Sequence, residues 1–321
     1  GICGTDVALW RGDYPVPLPL VLGHEFSAEV KAVADGVDPA WVGRRVACEI
    51  NNSCIAYNHD VLCESCRRGM PNHCLTRTVI GIINYPGAFA QWMTVPAGSL
   101  HHLPDEISDE AAIFIEPLAA AIRTFELTPI APGDCVLVMG AGRLGRLIAL
   151  VAHKMGARVI TVARSAASLA FVQEFSEISV QFDPRGDQAD FAVVVNSMAE
   201  LRELILNQTH ALGADVVVEA TGLNAMLDDA ASLARPGGTI CLKSTSGLPA
   251  RELNTTLHTV NELRFQGSRC GPFDKAIAFM KEHRLPDESW ISRRYPLTEV
   301  TQALEAATRL PKVLLEISDH Y

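Results

Sequence analysis

Four of the nine cysteines of this 321-residue chain fall within one short window, at Cys54, Cys63, Cys66 and Cys74. Cys63 and Cys66 form a CxxC pair, and an odd cysteine total with such a pair indicates metal binding better than a disulfide framework. Tetrahedral structural zinc prefers thiolate ligands. We therefore predict a zinc site here, and this use of cysteine favours a reducing compartment, so a cytoplasmic protein is expected.

A glycine-rich turn carries the second chemical signal. The run 140–145 has the pattern GxGxxG, directly after the apolar stretch Cys135–Met139 and directly before a helical stretch. In that setting the glycines permit a tight turn, close approach of a pyrophosphate and close helix packing, and the helix N-terminus offers free N–H groups. A purely structural turn is the alternative. We predict a dinucleotide site formed by Gly140, Gly142, Arg143, Leu144 and Gly145.

Cofactor choice is decided at the end of the next strand. Enzymes that bind NAD usually carry Asp or Glu there, about 20 residues further on, to bind the ribose 2′-OH. Here Val159–Val162 is followed by Ala163, Arg164 and Ser165, without an acid. A guanidinium can bind a 2′-phosphate through two hydrogen bonds, and a hydroxyl can add another. We predict NADP over NAD, with Arg164 as the main contact and Ser165 as a helper; the alternative is that Arg164 is a solvated surface residue.

The elements that must hold these residues differ between two parts of the chain. Up to about residue 118 the sequence has short β-type runs bounded by turn residues, among them Val46–Ile50 and Phe89–Val95, which indicates a compact irregular β domain. From residue 119 apolar strands and helices alternate, which indicates an α/β fold with a doubly wound parallel sheet. The predicted strands there are Cys135–Met139, Arg158–Val162, Ala192–Val195, Asp215–Glu219 and Thr239–Leu242, and the predicted helices are Ala119–Leu127, Leu144–Met155, Met198–Gln208 and Leu223–Ala234.

The tail predicts a helix at Phe273–His283 and a final strand at Lys312–Ile317 that returns to the first domain. The predicted domains are therefore 1–118, with a zinc lobe at about 51–76, then 119–270 as the cofactor domain, and 271–321 as the return. Two cores agree with the chain length, since single cores stop growing near roughly 250–300 residues. Because the chain starts at Gly1-Ile2-Cys3 without Met, we expect it to be part of a longer protein.

The composition of the chain limits the kinds of molecule that it is expected to bind. The chain is 48% hydrophobic and 20% charged, with a net charge of −10 that argues against nucleic-acid binding, which requires clustered Lys and Arg. No stretch approaches the roughly 18 consecutive apolar residues of a membrane span. We expect a protein that acts on small molecules and not on nucleic acids or membranes.

Several fragments together resemble one family. The chain is similar to the zinc-containing medium-chain dehydrogenase/reductases, which include alcohol, sorbitol, glucose and threonine dehydrogenases and combine a GroES-like irregular β-barrel with a Rossmann domain. The resemblance runs nearly end to end and rests on GICGTD at 1–6, LGHE at 22–25, the cysteine cluster, GAFAQW at 87–92, EPLA at 116–119, GAGRLG at 140–145, VVVEATG at 216–222 and KVLLE at 312–316.

The resemblance implies a catalytic zinc held by Cys3, His24 and Glu116. Glu25 matches a carboxylate that in some members ligates zinc or exchanges with water, and Asp6 matches an acid that orients the ligating histidine. Thr5 matches the hydroxyl that takes the substrate proton, although it could equally be a turn residue that caps the local backbone. The family's relay histidine would fall at Ala8, so protons must leave by another path, with water at the zinc and Glu25 as the substitute. Thr221, within the resembling stretch 216–222, is expected to contact the cofactor.

The same resemblance places the structural zinc. Cys63, Cys66 and Cys74 match three of its four ligand positions, but the first position holds Asp60. Cys54 is displaced by about six residues, and a longer loop still reaches a metal at little entropic cost. We expect Cys54 to be the fourth ligand, with Asp60 or His59 as lesser candidates; an empty or oxidised site is the alternative. The segment 176–190 is longer than the family usually has, and we predict a solvated loop there.

These features imply a zinc-dependent oxidoreductase that transfers hydride between an alcohol or polyol and NAD(P), and the resemblance implies a homodimer or homotetramer. Two rival functions remain open. One is a zinc-independent NADPH reductase of the same superfamily, against which the ligand residues argue. The other is a non-catalytic cofactor-binding member, which the intact ligand positions count against.

Overall fold

The structure, a computed structural model, describes residues 1–186, 191–223, 225–243 and 253–318. The chain forms two compact units. Gly1–Ala119 and Pro272–Tyr321 make up the first unit, and Ala120–Gly271 makes up the second. None of the helices in the described ranges is both long enough and apolar enough to cross a membrane.

The first unit is built from short strands and short helices. Strands β1, β2 and β5 form an antiparallel sheet in that order, and β3 pairs with β4. The strands are β1 (Ala28–Glu29), β2 (Arg45–Cys48), β3 (Asn51–Asn52), β4 (Thr78–Val79) and β5 (Leu100–His102). Its helices in this part of the chain are α1 (Gly4–Arg11), α2 (Glu64–Arg67) and α3 (Asp109–Ala112), and α4 (Ile115–Leu127) begins in this unit and continues into the second.

The second unit is an α/β layer structure around one parallel sheet of seven strands, which confirms the predicted fold class. In chain order the strands are β6 (Cys135–Met139), β7 (Arg158–Ala163), β8 (Ile178–Phe182), β9 (Val194–Val195), β10 (Ala214–Glu219), β11 (Ala234–Leu242) and β12 (Arg264–Gly267). The helices are α5 (Arg143–Lys154), α6 (Ala166–Val172), α7 (Met198–Gln208), α8 (Met226–Leu233) and α9 (Thr255–Val260).

The order of the strands creates a crevice. Across the sheet they run β12-β11-β10-β6-β7-β8-β9, so the chain builds outward from β6 on one side and then crosses over to β10 on the other. All five residues of β6 are buried, as is typical of a parallel strand covered on both faces. Ligands of such sheets bind beyond the carboxyl ends of the strands at the point where the order reverses, which here lies between β6 and β10.

The tail of the chain completes the first unit with α10 (Phe273–His283), β13 (Arg293–Pro296), α11 (Val300–Ala307) and β14 (Val313–Glu316). Strands β13 and β14 pair in parallel, and the Ile2 amide donates to the Val313 carbonyl at 2.9 Å. Ile2, Val7, Leu304 and Val313 share one buried cluster. The first residues of the chain are therefore held by its last strand.

Two sequence predictions were wrong. Phe89–Val95 is not a strand: the Phe89 amide donates to the Leu22 carbonyl of a neighbouring loop, and Trp92 is 62% exposed, so no strand partner and no buried face continue the run. The segment 176–190 is not simply a solvated loop, because Ile178–Phe182 forms β8 between β7 and β9 with Val180 fully buried. The part of that segment at 187–190 lies outside the described residues.

Candidate metal and cofactor sites

Cys3, His24 and Glu25 form a cluster of three potential metal ligands in the first unit. One ligand atom from each lies within 4.8 Å of the others. His24 and Glu25 are buried and Cys3 is half-buried, just before the first residue of α1. A thiolate, an imidazole and a carboxylate are donors that zinc accepts, and three protein ligands leave one position open for substrate. The set has the composition of a catalytic zinc site.

Asp6 holds two of these ligands in place. Its fully buried carboxylate accepts hydrogen bonds from the Cys3 amide at 2.8 Å and the Gly23 amide at 3.1 Å, and it lies 3.3 Å from His24 Nδ1. His24 Nδ1 lies beside the carboxylate without making a hydrogen bond of normal geometry, and Nε2 is the ring nitrogen left to bind a metal. This is the carboxylate–histidine arrangement that orients metal ligands.

The charges around His24 suit a cation. Burial by itself lowers the pKa of His24, but the negative charges of Asp6 and Cys3 outweigh it and raise that pKa well above its usual range. Burial likewise raises the pKa of Asp6, yet the positive charge of His24 and the hydrogen bonds from the Cys3 and Gly23 amides bring it below its usual value. The same negative surroundings that favour a proton on the buried imidazole would also favour a divalent metal ion bound to it.

The loop that carries His24 depends on glycine. Gly23 has φ +97°, and a Cβ there would lie 2.3 Å from the Phe89 ring and 2.9 Å from the Phe89 amide nitrogen. The left-handed φ and the close neighbours both exclude a side chain. The backbone of 21–23 in turn accepts hydrogen bonds from Gly87, Ala88 and Phe89. The LGHE and GAFA fragments are therefore two halves of one support for the histidine.

Glu25 has a second partner, Lys312. The Lys312 ammonium donates to Glu25 Oε2, and both side chains are at least 95% buried. Burial raises the pKa of Glu25, but the charges of Lys312 and His24 outweigh it and leave the pKa below its usual value. The carboxylate therefore stays ionised, which a metal ligand requires.

Two further predicted site residues, Glu116 and Thr5, are not among the three clustered ligands in the described part of the chain. Glu116 occupies the first turn of α4 and is half-buried, and among the described residues the cluster contains Glu25 in its place. Thr5 lies in the first turn of α1, where Cys3 Sγ is 3.8 Å from Thr5 Oγ1. The hydroxyl thus lies beside the thiol that would bind the metal.

A second cluster brings four cysteines together. Ligand atoms of Cys54, Cys63, Cys66 and Cys74 all lie within 4.8 Å of one another. Cys74 Sγ is 3.4 Å from Cys54 Sγ and 3.7 Å from Cys63 Sγ, far longer than a disulfide. Four thiolates at about 2.3 Å from a tetrahedral zinc would be separated by about 3.8 Å. The spacing therefore fits a zinc ion bound by four thiolates.

The eight residues between Cys54 and Cys63 fold into a local turn. The His59 amide donates to the Cys54 carbonyl at 2.9 Å, which turns the chain back toward the cluster. His59 and Asp60 themselves are exposed and do not belong to the four-residue group in the described part of the chain. The family's first ligand position holds Asp60, but the turn keeps the Cys54 thiol within reach of the other three cysteines.

Neighbouring donors prepare the thiols for a metal. The Leu75 amide donates to Cys63 Sγ at 3.4 Å, and the Thr76 hydroxyl lies 3.5 Å from Cys74 Sγ. Burial raises the pKa of Cys74, but hydrogen bonds from Thr76 and Cys54 outweigh it and lower the pKa to about 6. Burial raises the pKa of Cys66 to about 12. The lowered pKa of Cys74 favours its thiolate, which is the form that binds a metal.

The glycine-rich turn lies between β6 and α5 and is packed too closely for side chains at two positions. Gly140 has φ +102°, and a Cβ there would lie 2.7 Å from the Ala220 carbonyl oxygen. A Cβ on Gly145 would lie 1.8 Å from the Gly140 carbonyl oxygen. A Cβ on Gly142 would instead meet nothing within 4 Å. Gly140 and Gly145 are therefore needed for packing, and Gly142 faces an open space that a ligand can enter.

Positive charge collects at the start of α5. Arg143 is the first residue of the helix, where a cation opposes the helix dipole unless an anion is bound nearby. Arg146, one turn on, is 3% exposed, with its guanidinium 4.1 Å from the centre of the Phe171 ring. Burial and the charge of Arg143 lower the pKa of Arg146 to about 10, so it remains a cation. This end of the helix is suited to phosphate groups.

Arg164 and Ser165 follow β7 and are both exposed. The side-chain amide of Gln181 donates to the Arg164 carbonyl at 3.4 Å. Ser165 is the N-cap of α6 and accepts from the Ser168 amide, which leaves its own O–H proton free to donate. A guanidinium and a hydroxyl donor therefore face solvent beyond the end of the second strand.

Thr221 lies in the turn after β10, beside the glycine-rich turn. Its amide and its hydroxyl both donate to the buried carboxylate of Glu219. Two residues used by these sites were missed by the sequence reasoning, Glu219 and Lys312. Each carried a signal, because each is a charged residue adjoining a run of apolar residues that forms a buried strand.

Comparison with protein families gives two matches. The chain matches the alcohol dehydrogenase GroES-like domain over residues 1–105 and the zinc-binding dehydrogenase domain over residues 144–282. The first contains the Cys3–His24–Glu25 cluster and the four-cysteine lobe. The second begins at the end of the glycine-rich turn, at residue 144, and contains strands β7 to β12 of the parallel sheet.

Proteins with similar sequences are named as dehydrogenases or reductases of polyols and ketoses. The chain is 29% identical over 309 residues to sorbitol dehydrogenase of Halalkalibacterium halodurans, covering 95% of this chain and 85% of that one. It is 30% identical over 286 residues to D-xylulose reductase A of Aspergillus oryzae, covering 87% and 75%. Its fold matches the alcohol dehydrogenase of Thermus sp. ATN1 with a TM-score of 0.83, at 29% identity and 99% and 90% coverage.

Proposed function

Because the chain belongs to the zinc-containing medium-chain dehydrogenase/reductase family, and so is an NAD(P)-dependent alcohol or polyol oxidoreductase, we propose that it oxidises a polyol-type secondary alcohol at a zinc site with NADP as cofactor. The observation that carries the proposal is the cluster of Cys3, His24 and Glu25 with the His24 ring oriented by Asp6. A zinc ion held by these residues would supply Lewis-acid polarisation of the substrate oxygen, and a bound nicotinamide would supply the hydride acceptor.

The chain's own residues supply ligands, orientation and a proton path. Cys3 and His24 belong both to the ligand set implied by the family resemblance and to the cluster of Cys3, His24 and Glu25 in the structure. Proximity to their donor atoms supports Glu25 as the third ligand, and Glu116 on α4 is retained as the other carboxylate of the site. Thr5 beside the Cys3 thiol is proposed to accept the substrate proton while it passes its own hydroxyl proton to water, and with alanine at position 8 that proton leaves through water and Glu25.

The preference for NADP rests on Arg164, Ser165 and the absence of an acid after β7. A carboxylate there would bind the 2′-OH of NAD and repel a 2′-phosphate. Arg164 and Ser165 offer donors to that phosphate, and both are exposed. Gln181 supports this choice, because its bond to the Arg164 carbonyl fixes the backbone from which the guanidinium extends.

Replacing Arg164 with alanine is expected to lower affinity for NADPH by about 10- to 100-fold, the loss of one or two charge-assisted hydrogen bonds, with little effect on NADH. Fluorescence titration of both reduced cofactors measures this. Arg158→Ala is the matched control, since Arg158 lies at the opposite end of β7 and pairs with Glu177. Equal affinity of the parent for NADPH and NADH would refute the preference.

Metal analysis of freshly purified, reduced protein is expected to give two zinc ions per chain. Cys66→Ser should retain one, because three thiolates hold zinc less tightly than four and the catalytic cluster is untouched. Thermal unfolding of Cys66→Ser should also begin at a lower temperature, since metal binding contributes to folding. Cys48→Ser, which alters a buried cysteine outside both clusters, serves as the control. A parent protein with no zinc would contradict both metal sites.

A substrate panel tests the function itself. Polyols, sugars, amino alcohols and aromatic alcohols are assayed with NADP and NAD, before and after removal of zinc by a chelator. We expect turnover of polyols that is lost with the metal and restored by zinc. Turnover that persists without zinc would instead support a zinc-independent reductase, and cofactor binding without turnover of any panel member would support a non-catalytic protein.

We also place the protein in the cytoplasm as a homodimer or homotetramer. A site of four thiolates persists in a reducing compartment. Strand β12 is the outermost described strand on its side of the sheet, and its Phe265 is 38% exposed, which makes this edge a candidate surface for a second copy. Light scattering after size-exclusion chromatography gives the number of chains.

A further inference from the structure

A buried ion pair borders the cluster of Cys3, His24 and Glu25. The Lys312 ammonium donates to Glu25 Oε2, and the Lys312 and Glu25 side chains are 5% and 3% exposed. The proposed function uses Glu25 as a metal ligand but gives no role to Lys312. A carboxylate that is proposed to bind a metal ion is thus already bound to another cation.

Three further contacts hold Lys312 in place. Its amide donates to Ser292 Oγ at 3.4 Å, and its carbonyl accepts from the Ser292 amide at 2.8 Å. Its ammonium lies 4.9 Å from the centre of the Phe114 ring, close enough for a cation–π interaction, and the Phe114 ring packs edge-on against Trp290. The ammonium therefore cannot leave Glu25 without giving up buried contacts.

The charge of Lys312 determines the sign of its effect on metal binding. A partner that only orients a metal ligand strengthens the site, and its removal typically weakens metal binding about 10- to 100-fold. An ammonium on Glu25 acts in the opposite direction. It and a bound metal ion would contact one carboxylate, and like charges at such a short separation repel each other. The ammonium also stabilises the metal-free site, because Glu25 stays paired in the interior when no metal is bound.

We propose that Lys312 is a positioning residue that competes with the metal ion for Glu25 and so lowers the metal affinity of the Cys3–His24–Glu25 site. The inference rests on the proposed zinc site. Lys312 acts through Glu25: it keeps this carboxylate in place in the metal-free protein, and a metal ion must then share the carboxylate with the ammonium. The site therefore binds zinc less tightly than it would with an uncharged residue at position 312.

The zinc affinity of variants at position 312 tests this inference. The probe is zinc alone, titrated into metal-depleted, reduced protein at neutral pH against a chromophoric chelator. His24→Ala identifies the zinc that belongs to the four-cysteine cluster. Lys312→Met removes the charge from a side chain of similar length and is expected to raise the affinity of the other site about tenfold or more. The repulsion is lost, and zinc then pairs a carboxylate that has no other counter-charge.

Two other substitutions separate charge from packing. Lys312→Gln is also uncharged but keeps an N–H that can donate to Glu25, so it should fold even if Lys312→Met does not, and it should likewise raise zinc affinity. Lys312→Arg keeps the charge and should stay within about threefold of the parent. Lys31→Met is the control, because Lys31 pairs with Glu29 at the surface of the same unit and its replacement should not change the affinity.

Thermal unfolding gives a second readout that does not depend on activity. Lys312→Met leaves Glu25 without its counter-charge, so the metal-free variant should have a lower Tm than the metal-free parent. The rise in Tm on adding zinc should be larger in the variant than in the parent, because stabilisation by a ligand grows with its affinity. A purely structural role of Lys312 would lower Tm equally with and without zinc.

The possible results separate the role of Lys312 from the proposed function. Tighter zinc binding in Lys312→Met or Lys312→Gln, with binding like that of the parent in Lys312→Arg, supports competition for Glu25. Equal tightening in Lys312→Arg would show that packing and not charge is responsible, which overturns it. A parent with two zinc ions whose affinity is unchanged or weakened in the uncharged variants also overturns it and leaves the proposed function intact. A parent that binds zinc only at the four-cysteine cluster overturns both.

Discussion

Replacing His24 with alanine is expected to remove one of two zinc ions and to lower kcat/KM by at least about a thousandfold. The imidazole is one of three clustered ligands, and its loss leaves a thiol and a carboxylate that cannot fill the same coordination shell. Lewis-acid catalysis by a metal contributes several kcal/mol, and a loss of about 4 kcal/mol corresponds to roughly a thousandfold in rate. Zinc content and steady-state kinetics measure the two effects on the same preparation.

The same variant separates the two metal sites. The four-cysteine cluster shares no residue with the His24 cluster, so one zinc should remain and the protein should stay folded. His102→Ala is the control because His102 is an exposed histidine of β5 in the same unit, and this variant should keep two zinc ions and full activity. If His24→Ala retained two zinc ions and its activity, the assignment of the catalytic metal would be wrong.

Gly145→Ala and Gly142→Ala are expected to affect different properties, the first the thermal stability and the second the binding of the cofactor. The Cβ of Gly145→Ala would lie 1.8 Å from a backbone oxygen, so α5 and the glycine-rich turn cannot both keep their positions. Overpacking at such a site costs about 3 kcal/mol, which lowers Tm by about 6–12 °C in a unit of this size. Thermal unfolding followed by circular dichroism gives this shift directly.

Gly142→Ala, three residues away, should leave Tm unchanged. Gly142 has φ −76° and ψ −163°, which alanine adopts without strain, and its Cβ would meet no atom within 4 Å. That space is where the pyrophosphate would approach the backbone, so NADPH affinity should fall by about tenfold or more as the methyl group prevents the contact. If Gly142→Ala bound NADPH as the parent does, the turn would not be the phosphate site.

The cofactor unit was largely predictable because its signals are local. An apolar strand, a glycine-rich turn and an amphipathic helix follow one another directly, and the predicted Leu144–Met155 differs by one residue at each end from the observed Arg143–Lys154. Strand β8 was missed although Ile178, Val180 and Phe182 alternate with polar residues, the ordinary sign of a strand. The length of the segment 176–190 relative to the family indicated a loop, but the period-two pattern within it was the better guide.

The metal sites were harder, because their geometry depends on residues far apart in sequence. Two carboxylates, Glu25 and Glu116, each belong to a recognisable motif. The spacing of the motifs alone does not show which of the two lies beside the Cys3 thiol. The partner of Glu25 is Lys312, 287 positions away, and no local pattern connects them. The four cysteines were easier, because their window is short and thiolates have few other uses in such a cluster.

The loop between Cys54 and Cys63 has a consequence for how such a site tolerates change over evolution. Only the two ends of the loop must meet at the sulfur cluster, and residues 57–61 between them are exposed. Lengthening a loop costs little free energy as long as its ends still close. Insertions can therefore accumulate there while the ligands are preserved, and the same stretch is a natural place to graft a peptide tag without displacing the metal.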